Sequence, residues 1–119
     1  MALKVSSVQR ITNNFNKFEV QGTITATGNV PASAATSDAL DLTGLVASNS
    51  LPDNVWIFEK PVSGTSGYGG SYLYAPSTTQ ANGTVQVFAS GGALYTAAGS
   101  YASLGLTTLY FLAQFPKFG

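Results

Sequence analysis

Three aspartates, Asp38, Asp41 and Asp53, form the sole acidic cluster of the sequence. Carboxylate oxygens are the donors that Ca²⁺ takes, but the spacing is not that of an EF-type loop, which needs ligands at alternate positions closed by a bidentate glutamate. The expectation is therefore that Asp38 satisfies a turn backbone and that Asp41 sits on a solvated face. Glu19 and Glu59 are the two glutamates, and glycosidic hydrolysis needs two carboxyl groups at a defined separation. Each lies in a segment of alternating polarity, where Glu points to water. Gly67-Tyr68-Gly69-Gly70 is rich in glycine, yet no strand–loop–helix pattern and no lysine follows it, so it is not a phosphate cradle. There is no His and no Cys, which removes Ser-His-Asp and Cys-His nucleophile systems, imidazole and thiolate metal sites, and disulfides. The residues point to no enzyme, no cofactor and no metal.

The charge inventory excludes a second class of function. Lys and Arg number 5, Asp and Glu number 5, and charged residues make up 8% of the chain, against roughly 25% in an ordinary soluble domain. Five scattered cations at zero net charge do not provide the basic footprint that nucleic acid requires. Ser, Thr, Asn, Gln and Gly stand in for the missing ions. A surface of that kind loses little when it is covered, because few ions must be stripped of water, and this points to assembly. The 119 residues are the length of one domain. No run approaches the length of a transmembrane span, and Met1-Ala2-Leu3-Lys4-Val5 lacks the apolar core of a signal peptide, so no membrane is expected and synthesis in a cytoplasm is. Asn82-Gly83-Thr84 matches a glycosylation pattern but is read as a turn.

The elements that must position any site have period two. From Phe18 to Thr27, Phe18, Val20, Ile24 and Ala26 share one face, while Glu19, Gln21, Thr23, Thr25 and Thr27 share the other, as in a half-buried strand. Lys4–Thr12 precedes it, and Asn13-Asn14 tolerates hairpin turns, so Lys4–Thr12 and Phe15–Thr27 are expected to pair antiparallel. Ala39–Leu42 reads as a short strand with Leu40 and Leu42 inward, and Thr43–Asn54 as irregular with a turn around Leu45–Ala47. Val55-Trp56-Ile57-Phe58 is apolar on both faces, the pattern of a central strand or one covered from both sides. Ser63–Ser71 is a glycine-rich loop, Ser71–Ala75 a strand closed by Pro76, and Thr84–Phe88 a strand introduced by the Ala81-Asn82-Gly83 turn. A further short strand is expected at Ala93–Tyr95 after Gly91-Gly92. Thr107–Phe115 places Leu109, Phe111, Ala113 and Phe115 on one face and Tyr110, Leu112 and Gln114 on the other. With 13 glycines and no helical period, the fold is all-β: an antiparallel β-sandwich or jelly-roll-like barrel of about seven to eight short strands.

The tyrosines are the contact-forming residues. Tyr68, Tyr72 and Tyr74 gather around one loop, with Tyr95, Tyr101 and Tyr110 later. Tyrosine buries a large area at low entropy cost and keeps a hydrogen-bonding tip, which suits protein contacts and sugar stacking alike. Phe115 and Phe118, with Lys117 between them, are too apolar for a loose tail and are expected to dock on the chain's own core or on a neighbour.

Several stretches, in order along the chain, resemble small β-rich structural proteins of tailed bacteriophages, of the head decoration or cement type. They are Met1-Ala2-Leu3-Lys4-Val5, the hairpin ending Val20-Gln21-Gly22-Thr23-Ile24, Ser37-Asp38-Ala39-Leu40-Asp41-Leu42, Tyr72-Leu73-Tyr74-Ala75-Pro76, Asn82-Gly83-Thr84-Val85-Gln86-Val87-Phe88 and Phe115-Pro116-Lys117. The sequence departs from that pattern at Thr36-Ser37, where a Gly-rich entry is usual, and before Thr107, where a Gly-Asp turn is usual. The resemblance implies a virion protein on the outside of an icosahedral head, bound to the major capsid protein shell, often as a homotrimer. A protein that binds only the matured shell geometry stabilises it by linkage, and repetition of the partner surface turns modest contacts into avidity. On that reading the interface falls at residues 1–5, 63–74 and 115–118, with Leu3, Val5, Tyr68, Tyr72, Tyr74, Phe115 and Phe118 as its contact residues. Two other roles fit the same features. One is a tail or fibre adhesion module that holds host glycans on Tyr68, Tyr72 and Tyr74, and the other is a head–tail connector or tail-completion protein.

Overall fold

Alternation of apolar and polar side chains becomes seven strands in a computed structural model, which describes residues 3–13, 16–30, 38–47, 50–60, 69–89, 91–93, 99–102 and 104–116. In chain order they are β1 (Leu3–Asn13), β2 (Lys17–Ala26), β3 (Asp38–Leu40), β4 (Asn54–Glu59), β5 (Ser71–Ala75), β6 (Gly83–Phe88) and β7 (Thr108–Pro116). One sheet has the order β1-β2-β7-β4 and the other β3-β6-β5, and every pair is antiparallel. No helix occurs among the described residues. The fold is thus the all-β sandwich of two antiparallel sheets.

The core is the set of inward faces. Val20, Ile24 and Ala26 of β2, Leu109, Phe111, Ala113 and Phe115 of β7, and Ile57 of β4 meet Leu40, Tyr74, Val85 and Val87 of the smaller sheet. Each large side chain taken wholly from water there contributes about 1.5–3 kcal/mol. Leu42, Val30, Tyr101 and Leu106 close the core from the connections. Backbone bonds from Ala26 to Thr107, Val30 to Gly99 and Tyr101 to Gly28 bind the segment after β2 to the one before β7, so the ladder runs on past the strands. Buried Gln80 ties down another connection: its side-chain amide donates to the Ser50 carbonyl at 2.7 Å, and its own carbonyl accepts from Leu42 at 3.0 Å.

Two glycines are required by close approach. A Cβ at Gly22 would strike the Ser7 carbonyl oxygen and the Phe111 ring, and a Cβ at Gly83 would strike the Tyr74 phenol lying across β6. Near Gly22 the β1 register shifts twice, between Val5 and Ser7 and between Val8 and Arg10. The first shift has a consequence for the polar face of β2. It brings the hydroxyls of both Ser6 and Ser7 to Thr23, at 2.9 and 2.6 Å, so Thr23 is buried where the alternation predicts a solvated side chain.

The hairpin, the strands at Ser71–Ala75 and Thr84–Phe88, and the faces of β7 and, Thr23 apart, of β2 match their sequence expectations, while Leu40 and Leu42 are both interior although the strand stops at Leu40. The predicted strand at Ala93–Tyr95 is not supported at Ala93, which lies in a bend; residues 94 and 95 are outside the described residues. The main correction is β4. Among the described residues it pairs with β7 alone and ends its sheet, and Trp56 and Phe58 are 41% and 49% exposed, so it is neither central nor covered on both faces.

Candidate functional site

The carboxylates do not converge. Asp38 accepts a 2.5 Å hydrogen bond from the Tyr101 phenol, and burial raises its pKa against the lowering effect of that bond. Burial and the neighbouring Asp38 together push the Tyr101 phenol far above its ordinary range. Asp41 accepts the Thr43 backbone N–H at 2.8 Å in an Asx-type turn, and its hydrogen bonds to Thr43 hold its pKa below the ordinary value. Asp41 is exposed, as expected, but it is Asp41 that holds the turn; Asp38, expected to do so, is a half-buried strand residue bonded to Tyr101. Asp53 is ion-paired with Lys17. Among the described residues no three metal-ligating side chains gather in one place.

Glu59 departs from its expected solvated role as well. Its carboxylate accepts the Gly69 N–H at 3.0 and 3.1 Å and the Tyr72 phenol at 3.3 Å, which anchors the start of β5 to the end of β4. Glu19 accepts the Gln114 side-chain amide at 2.9 Å, and Asn54 donates to that same Gln114 at 3.4 Å. Glu19 and Glu59 therefore serve two separate polar networks, not a facing pair.

Of the seven predicted contact residues, three are interior. Leu3, Tyr74 and Phe115 are 1%, 8% and 0% exposed, packed by this chain's own core, and their expected role at a partner surface is corrected to core packing. Alternation explains this: each falls on the inward face of its strand. Val5 is half-buried and borders a cleft with Asp41, Thr43 and Leu45. Tyr72 is half-buried and bonded to Glu59. Tyr68 and Phe118 lie outside the described residues, as do Tyr95 and most of the 63–71 loop.

The exposed aromatic surface lies instead on the outward face of the four-stranded sheet. Register places three rungs there in succession: Thr12–Glu19–Gln114–Asn54, then Arg10–Gln21–Leu112–Trp56, then Ser7–Thr23–Tyr110–Phe58, so that the charge of the second rung lies at its far end, on β1. The first rung is bonded through its own amides. The second and third put Trp56, Phe58, Tyr110 and Leu112 side by side, with no formal charge among them. A shallow cleft of about 300 Å³ opens beside them, lined by Gln9, Gln21, Phe58, Tyr110 and Leu112. Around the edge of β4 a groove of similar size continues past Pro52 to Leu73 of β5, which is 53% exposed. Large apolar side chains set together in this way mark contact surfaces, whereas single ones carry no such meaning. The signal was present in Val55-Trp56-Ile57-Phe58, a strand apolar on both faces, but it reads equally well as a central strand. A second, smaller pair, Val8 and Ile11, is exposed on β1.

Comparison with known proteins gave no match: no protein-family model, curated protein or solved structure corresponds to this chain.

Proposed function

We propose that this chain is a viral structural protein of the capsid decoration type, which lies against the outer surface of a phage head and stabilises it without performing chemistry. The observation that carries the reading is the uncharged row of Trp56, Phe58, Tyr110 and Leu112 on the outward face of the larger sheet. Covering that row removes aromatic surface from water and strips no ion, the type of contact that persists across changes of salt. The thinly charged composition and the resemblance described above support the same reading. The partner is the shell of the major capsid protein, and repetition of its surface supplies avidity.

Mature shells lacking the protein provide the test. Added protein binds them saturably and raises the temperature at which they disrupt. Shells that take up none of it overturn the reading.

A second reading rests on the cleft beside the row. Gln9 and Gln21 offer amide donors and acceptors next to the rings of Phe58 and Tyr110, a combination suited to a neutral sugar, whose C–H face stacks on an aromatic ring while its hydroxyls take hydrogen bonds. This is the adhesion-module alternative moved to a different site from Tyr68, Tyr72 and Tyr74. Binding of neutral oligosaccharides to the isolated protein, lost on Phe58→Ala, favours it over the shell.

A further inference from the structure

The two sheets end in four edge strands, and three carry features that block further pairing. β1 is interrupted by two register shifts, β3 is three residues long, and β5 runs directly into Pro76. β4 has none of these guards. It pairs with β7 over six consecutive residues without a bulge, and no proline or charged residue occurs between Asn54 and Phe58. Glu59, at its end, already holds Gly69 and Tyr72. Among the described residues, no hydrogen bond occupies the outer backbone edge of β4.

We infer that this edge pairs with the same edge of a second copy, joining two four-stranded sheets into one continuous antiparallel sheet across a two-fold axis at Ile57. The occupant follows from the strand's own sequence, which can pair with itself without bringing like charges together, and aromatic pairing picks the register. A two-fold axis that keeps both outward faces on one side must pass through a residue. With Ile57 on the axis, Trp56 stands opposite the second copy's Phe58, Val55 opposite its Glu59 and Asn54 opposite its Lys60; no like charges meet and two aromatic pairs form. With Trp56 on the axis, Glu59 stands opposite the second copy's Asp53, a like-charge pairing. The strand is thus self-complementary in one register and opposed in the next. The Ile57 register also makes the outward rows of the two copies contiguous, with Trp56 and Phe58 of each meeting at the axis and Tyr110 and Leu112 one strand behind them. A single apolar surface results, twice the width of that on one chain.

The pairing is a property of the chain alone, so it stands or falls independently of shell binding. Its test is the mass in solution, by sedimentation velocity and light scattering over a concentration series. The expected mass is that of two chains. Trp56→Lys with Phe58→Lys sets like charges opposite each other at both aromatic pairs and is expected to weaken association by at least about 100-fold, giving single chains. Trp56→Lys with Phe58→Glu sets Lys opposite Glu in the same register and is expected to restore the dimer. Both side chains are exposed, so the thermal midpoints of the variants report whether the fold is retained. A wild-type mass of one chain or three chains overturns the proposal, including the case of a single chain that captures a foreign extended peptide. A Lys/Lys variant that stays dimeric, or a Lys/Glu variant that associates no better than Lys/Lys, also overturns it.

Discussion

The Tyr101 phenol donates a 2.5 Å hydrogen bond to Asp38 although 63 positions separate the two residues. The bond fastens the segment ahead of β7 to the first residue of β3, and the Tyr101 ring is fully buried behind it. Tyr74 offers a natural contrast. It is buried as well, but among the described residues its phenol oxygen has no hydrogen-bond partner, and burial raises its pKa. Truncation of the two phenols should therefore have different effects. Tyr101→Phe leaves the half-buried Asp38 without its donor and is expected to cost about 1–3 kcal/mol, whereas Tyr74→Phe removes an unpaired polar atom and is expected to be neutral or stabilising by up to about 1 kcal/mol. Urea denaturation of the two variants beside the parent measures both. An equal loss for the pair would contradict the assignment.

The two glycines at close contacts are expected to resist even a methyl group. Gly83→Ala drives a Cβ into the Tyr74 phenol, and Gly22→Ala drives one into the Ser7 carbonyl and the Phe111 ring. Each is expected to destabilise by roughly 1–3 kcal/mol, the usual cost of overpacking. Gly91, with open space around its Cβ position and no positive φ, is the control and should tolerate Ala. Thermal unfolding of the three variants separates the sites.

The pH dependence has two branches of opposite sign, meeting near the ordinary carboxylate value of 3.8. Burial raises the pKa of Asp38, so the folded state binds its proton more tightly than the unfolded chain does. That group therefore adds stability as pH falls toward 3.8, and the contribution is lost again as pH rises through the folded value. Asp41 is lowered by its bonds to Thr43, so its contribution is full above 3.8 and lost as pH falls through its folded value. Asp38→Asn should flatten the slope of stability above 3.8, and Asp41→Asn the slope below it. Denaturation midpoints between about pH 2 and pH 7 read both slopes, and an unchanged slope in either variant contradicts the corresponding assignment.

Thr23 tests the bulge in β1. Its hydroxyl is the common partner of Ser6 and Ser7, and Thr23→Val keeps the shape but removes that partner from both, leaving Ser6 its weaker bond to the Thr23 backbone carbonyl at 3.3 Å. A loss of about 1–2 kcal/mol is expected. Ser6→Ala or Ser7→Ala alone, with one hydroxyl still in place, should cost less.

Local alternation carried most of the fold. In β2 and β7 the inward residues Val20, Ile24, Leu109, Phe111 and Phe115 are legible because a half-buried strand must alternate. Edge position was not legible. Val55-Trp56-Ile57-Phe58 looks the same whether its second face is covered by the chain's own layers or left open, because the pattern records that a face is apolar and not what covers it. The tyrosines failed for a related reason: Tyr72 and Tyr74 share the inward side of β5, so their proximity in sequence marks core packing and not a contact platform. The carboxylate roles depend on partners far along the chain, such as Tyr101 for Asp38 and Gln114 for Glu19, which no local pattern reveals.

The uncharged row on the larger sheet is proposed as the protein-contact surface. The most direct measurement is co-sedimentation of the protein with mature shells that lack it, comparing the parent chain with Tyr110→Ser combined with Leu112→Ser, which alters the outward row and leaves the β4 edge residues intact. Saturable binding by the parent and a loss of at least about 100-fold in the variant are expected, with the variant's folded mass and circular dichroism unchanged. Absence of binding by the parent, or equal binding by a folded variant, would contradict that proposal.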